Sequence, residues 1–105
     1  IVSPYVSNTT IFTGSADGHL YAVDTRTAKE IWRFKTNNQV NGSPIIYKDA
    51  VYVGSVDNYL YCLEISTGRL RWKFETKGPI TGTPCVYDDI LYFGSTDHFI
   101  YALMA

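Results

Sequence analysis

The residues in this chain that could act as acids, bases, nucleophiles or ligands are few and regularly placed. Asp17, Asp57 and Asp97 stand 40 positions apart, each the last residue of a Gly-Ser-x-Asp stretch. Carboxylates serve as general acids and bases, and in groups they bind hard cations. Such work needs unlike residues converging on one site, and a catalytic residue breaks a repeat instead of recurring in it. The three aspartates therefore read as copies of one turn position. Lys48-Asp49 and Asp88-Asp89 separate apolar runs and also read as turns. His19 and His98 lie at or beside those aspartate turns without a cysteine or acidic triad, and are expected at the surface. Cys62 aligns with Ala22 and Ala102, and Cys85 with Tyr5 and Ile45. Small or apolar equivalents predict two buried free thiols. No CxxC or Cys/His spacing supports a metal or redox site, and no Gly-x-Ser-x-Gly, P-loop or His-Glu-x-x-His motif occurs. The expectation is no catalytic, cofactor-binding or metal residue in this chain, and no enzyme activity of its own.

The spacing of the aspartates extends to the whole chain. Residues 51–90 match residues 11–50, residues 91–105 restart the unit, and residues 1–10 match its end. Gly14, Gly54 and Gly94 coincide, as do Tyr21, Tyr61 and Tyr101, Thr27 and Thr67, and Trp32 and Trp72. Pro4, Pro44 and Pro84 complete the series. A period near 40 residues marks solenoids, propellers or arrays. One domain spans residues 1–105, holding a partial unit at 1–10, full units at 11–50 and 51–90, and a partial unit at 91–105.

Composition narrows the class. The 105 residues are 46% hydrophobic and include nine Tyr, five Phe and two Trp, so the chain has the material for a core. Nine Lys and Arg against ten Asp and Glu give a net charge of −1, with neither sign clustered. Nucleic-acid binding needs a basic stripe, which is missing. No apolar run approaches the roughly 20 residues of a transmembrane helix, so membrane insertion is not expected. The first residue falls in mid-repeat, and the chain reads as an excised piece.

Each unit holds four short runs rich in Val, Ile, Tyr, Phe and Trp, divided by turn residues. No segment carries a helical stripe. The pattern predicts an all-β chain of eleven strands near 2–7, 10–14, 19–24, 30–35, 43–47, 50–54, 59–64, 70–75, 83–87, 90–94 and 99–104. They form three sheets, the third without its outer strand. The run Tyr59 to Leu63 is apolar on both faces, as in sheets stacked against neighbours on each side. Trp72 and Phe74 share one face of the next run, and Arg71, Lys73 and Glu75 share the wet one. Gly18, Asn58 and His98 occupy a hairpin position that calls for positive φ. Gly68 permits the following turn. Its counterpart is Ala28, which predicts a turn that is sterically tighter or of another type.

The stretch from Ala22 through Asp24 and Thr27-Ala28 to Trp32 resembles the tryptophan-docking motif of pyrroloquinoline-quinone-type β-propeller repeats, A-x-D-x-x-T-G-x-x-x-W. The stretch from Cys62 through Thr67-Gly68 to Trp72 is a second copy. Departures are Ala28 for Gly, Cys62 for Ala and Glu64 for Asp. The resemblance implies propeller blades of four antiparallel strands, about 2.6 of them here, from a larger propeller. It implies that Trp32 and Trp72 pack between blades, held by the motif's threonine and backbone. Asp24, Thr27, Thr67, Gly68, Gly14, Gly54 and Gly94 are then structural motif residues. Quinone-dependent dehydrogenases of this family hold their quinone under an adjacent Cys-Cys disulfide and bind Ca2+ through Glu, Asn and Asp. This sequence has no Cys-Cys pair.

The resemblance therefore implies a non-catalytic interaction or sensor scaffold, working through loops at a propeller face. The alternatives are a fragment of a quinoprotein dehydrogenase whose catalytic blades lie elsewhere, and a short repeat unit that builds a propeller by association. The expected partners are proteins, or further copies docked head to tail, with no cofactor. An extracytoplasmic location is favoured by the resemblance.

Overall fold

The computed structural model describes residues 4–105, and among them there are eleven strands and no helix. The first sheet runs β1 (Tyr5–Ser7), β2 (Thr10–Gly14), β3 (His19–Asp24), β4 (Glu30–Lys35). The second runs β5 (Ile45–Tyr47), β6 (Ala50–Gly54), β7 (Tyr59–Glu64), β8 (Leu70–Glu75). The third has β9 (Cys85–Tyr87), β10 (Ile90–Gly94) and β11 (Ile100–Met104). All neighbours are antiparallel and consecutive in sequence, so each sheet is a meander.

The outer strands lie where the alternation puts them, and the inner ones are shorter. Runs expected at 43–47 and 83–87 begin at Ile45 and Cys85. Pro44 and Pro84 have no N–H to give a ladder, so pairing starts one residue later. The run expected at 2–7 is described as Tyr5–Ser7, and residues 2 and 3 lie outside the described residues.

The sheets stack face to face, and the core is the two junctions between them. Phe12, Leu20, Ala22 and Trp32 of the first sheet, with Val40 from the connection, pack on Val51, Val53, Tyr61 and Leu63 of the second. Tyr52, Leu60, Cys62 and Ile80 pack on Leu91 and Phe93 of the third. Alternate residues of β7 thus serve opposite junctions, which is why that strand is apolar on both faces. Cys62 is buried, but Cys85 is exposed, contrary to the expectation of two buried thiols. Its counterpart Ile45 lies against the second junction. Among the described residues no sheet covers the corresponding face of the third.

The turns follow one plan. Gly18, Asn58 and His98 have φ of 90°, 80° and 74°. Gly68 has φ 74° and Ala28 has φ 59°. The N–H of each bonds the carbonyl four residues back, Glu64 at 2.9 Å and Asp24 at 2.8 Å. Ala28 therefore makes the same turn as Gly68, not one of another type, and accepts a left-handed backbone that opposes its Cβ. Lys48, Asp88 and Asp89 also have positive φ, as turn residues between inner strands.

Candidate functional site

The chemistry-bearing residues meet at the junctions between sheets. On one side lies the tryptophan contact. Trp32 projects from β4 and is only 7% exposed. Its Nε1–H donates to the Ile65 carbonyl of the second sheet at 3.0 Å. A Cβ built on Gly68 would stand 2.5 Å from the Trp32 ring, so the indole lies flat on the glycine. Thr67 makes no hydrogen bond to the indole N–H, which goes to the Ile65 carbonyl. Its Oγ1 accepts the Arg69 N–H at 3.3 Å, and Thr27 Oγ1 accepts the Lys29 N–H at 3.3 Å, so each threonine shapes its own turn. Asp24 accepts the Arg26 N–H at 2.8 Å and pairs with that guanidinium. Trp72 is half-buried beside Tyr52, with ring centroids 5.9 Å apart. Gly14 and Gly54 admit close neighbours: an added Cβ would meet Val40 at 2.4 Å and Ile80 at 2.2 Å. Gly94 faces open space.

On the opposite edge sit the three aspartates. Asp57 accepts the Tyr59 N–H through Oδ1 at 3.0 Å, while Oδ2 takes the Tyr61 hydroxyl and, at 3.0 Å, the Asn37 N–H of the preceding unit. Asp97 repeats the set with Phe99 N–H at 2.9 Å, Tyr101 hydroxyl at 2.5 Å and Lys77 N–H at 3.1 Å. Ser55 Oγ donates to the Gln39 carbonyl at 3.1 Å, and Ser95 Oγ to the Gly78 carbonyl at 2.9 Å. Asp17 keeps only the local part, with His19 N–H at 2.9 Å and Tyr21 hydroxyl at 2.5 Å.

Electrostatics follow these contacts. The Tyr21 hydroxyl, then the His19 N–H, lower the Asp17 carboxyl to about 2. At Asp97 burial opposes ionisation, but the Tyr101 hydroxyl and the Phe99 and Lys77 amides outweigh it, so the pKa falls. Burial and then Asp57 raise Tyr61 well above the usual phenol range, and burial lifts Tyr52 to about 12. Hydrogen bonds thus favour the ionised form of the two aspartates, and burial favours the neutral form of the two tyrosines.

His98 is exposed, as expected, but His19 is half-buried, with Nδ1 3.3 Å from Asp17 Oδ1 and making no hydrogen bond. It sits on β3 opposite Lys35 of β4. Among the described residues, no three His, Cys, Asp or Glu side chains come together as a cation site. One open polar cleft of about 350 Å3 is lined by Ala16, Asp17, Gly18 and residues 35–39. Sequence reasoning missed it. The available signal was Asn37-Asn38-Gln39 standing where the next unit has Lys77-Gly78-Pro79.

A family model described as outer membrane protein assembly factor BamB matches residues 1–103. The chain belongs to that family. Its sheets superpose on BamB from Moraxella catarrhalis with a TM-score of 0.86 at 21% identity, over 96% of this chain and 32% of that one. They also match quinohemoprotein alcohol dehydrogenase from Comamonas testosteroni, with a TM-score of 0.80 at 28% identity, over 89% of this chain and 16% of that one. Among curated proteins, the quinone-dependent 1-butanol dehydrogenase of Thauera butanivorans is 40% identical over 37 residues, which is 35% of this chain and 6% of that protein. The chain thus spans a third or less of these relatives. The sheets are β-propeller blades of the pyrroloquinoline-quinone-like repeat type.

Proposed function

We propose that these blades belong to a propeller that works as a protein-interaction scaffold and that residues 1–105 supply no catalytic group. One observation carries this reading. The acids best placed for chemistry, Asp57 and Asp97, commit their oxygens to their own hairpin, to a tyrosine hydroxyl and to the preceding blade's backbone. A carboxylate engaged on every side is a structural clamp. The residues present do not fit a quinone held under adjacent cysteines, because Cys62 is buried and Cys85 is exposed in a different blade. Partner proteins would bind at loops on the propeller faces, where the cleft beside Asn37 and Gln39 offers polar groups. Further copies docked head to tail are a second class of partner. The family's description as an outer membrane assembly factor supports a place of action outside the cytoplasm.

The second reading is a segment of a quinone-dependent dehydrogenase, favoured by the 37-residue match to 1-butanol dehydrogenase. Titration of the whole propeller that contains these blades with pyrroloquinoline quinone and Ca2+, followed by absorbance, separates the two. The scaffold reading expects no saturable spectral change at micromolar ligand. A saturable change would promote the dehydrogenase reading.

A further inference from the structure

The link from the first blade into the second runs through Asn41-Gly42-Ser43 to Pro44. It joins two four-stranded sheets and packs on the link that leads into the third. Asn41 is exposed and Gly42 is buried. A Cβ built on Gly42 would stand 2.6 Å from the Gly82 carbonyl oxygen, so the two links pack main chain on main chain. The next unit has Thr81 where this one has Asn41.

An asparagine carboxamide can be attacked by the main-chain nitrogen of the residue that follows it. That reaction needs a nitrogen that is unhindered and not committed to a hydrogen bond. After Asn37, the Asn38 N–H donates to Thr36 Oγ1 at 3.5 Å. After Asn38, the Gln39 N–H donates to Asn38 Oδ1 at 2.8 Å. After Asn58, the Tyr59 N–H donates to Asp57 Oδ1 at 3.0 Å. Asn8 precedes the β-branched Thr9. Gly42 carries no side chain, and its N–H donates no hydrogen bond among the described residues. The Asn41 carboxamide makes one surface contact, Nδ2 to Gln39 Oε1 at 3.3 Å.

We propose that Asn41 is a site of spontaneous covalent modification, closing on Gly42 as a cyclic imide. The Gly42 nitrogen loses its proton and bonds to Asn41 Cγ. The Cγ–Nδ2 bond breaks, and the amide nitrogen leaves with that proton as ammonia. Water then opens the ring. Opening at Cγ leaves an aspartate at position 41, and opening at the main-chain carbonyl leaves an isoaspartate. Either product is an acid about 1 Da heavier than the amide. Isoaspartate also adds a carbon to the main chain beside Gly42, where Gly82 leaves little room. The inference goes beyond the scaffold reading and does not depend on it.

The test is peptide mass spectrometry of the whole propeller that contains these blades, kept folded at mildly alkaline pH, beside a sample unfolded in urea. Position 41 should gain about 1 Da at least about tenfold faster than Asn37, Asn38 or Asn58, and within about tenfold of its rate in urea. Hydroxylamine, which attacks the imide, should cut the chain between residues 41 and 42. The variant Asn41→Thr copies Thr81, and should fold normally and show neither the mass gain nor the cut. Conversion slowed more than about tenfold by folding would overturn the proposal. Faster conversion at another asparagine, or a cut that persists in Asn41→Thr, would overturn it as well. The isoaspartate form should unfold at lower urea than the fresh protein, and an unchanged midpoint would overturn the strain at Gly42.

Discussion

Trp32 and Ile65 lie 33 residues apart and in different blades, yet the Trp32 indole N–H donates to the Ile65 carbonyl at 3.0 Å. The ring that makes this bond covers Gly68 and contributes to the first junction. Trp32→Ala should therefore cost about 3–5 kcal/mol, the usual range for removing a buried tryptophan. Trp72, half-buried, should cost clearly less when changed to alanine. Lys73→Ala, on the wet face, should stay within about 0.5 kcal/mol. Urea melts of the three variants give the order. Equal losses for Trp32 and Trp72 would mean that the interblade contact adds nothing.

The two copies of the turn after the third strand should respond oppositely to substitution. Gly68→Ala adds a Cβ against the Trp32 ring at a residue with φ of 74°, where both sterics and backbone oppose it. A loss above about 1 kcal/mol is expected. Ala28→Gly relieves an exposed left-handed alanine and should stabilise by about 0.5–1 kcal/mol. Thermal melts of both variants provide the check.

Acid should weaken the fold through the aspartate turns. Asp17 has its folded pKa lowered from 3.8 to about 2. A depressed carboxyl stabilises the folded state above its unfolded pKa, and that contribution is lost as pH falls through the folded value. Stability should therefore decline between about pH 4 and pH 2, and Asp17→Asn should flatten the decline without abolishing it, since Asp97 is lowered as well. Unfolding midpoints across that range measure the slope.

The fold was legible because period, turn residues and alternation agree in each unit. Gly18, Asn58 and His98 all mark one hairpin position, and the structure gives all three positive φ. Interblade contacts were less legible, because a repeat reveals which positions matter and not which neighbour they touch. Thr67 looked like a clasp for tryptophan, but Gly68 and the Ile65 carbonyl make the contact. Cys85 aligned with apolar residues, yet burial at that position depends on the next sheet, which alignment to an inner blade cannot supply. The polar cleft was visible only as a break in the repeat at residues 37–39.

Asp57 and Asp97 each tie their hairpin to the backbone of the preceding blade. Asp57 takes a backbone N–H from the preceding blade, and Asp17 takes none among the described residues. Urea unfolding of Asp57→Asn and Asp17→Asn compares the two directly. The account predicts that Asp57→Asn costs about 1–3 kcal/mol more, the penalty for disrupting a charged hydrogen-bond network at a junction. Equal losses at the two positions would contradict it.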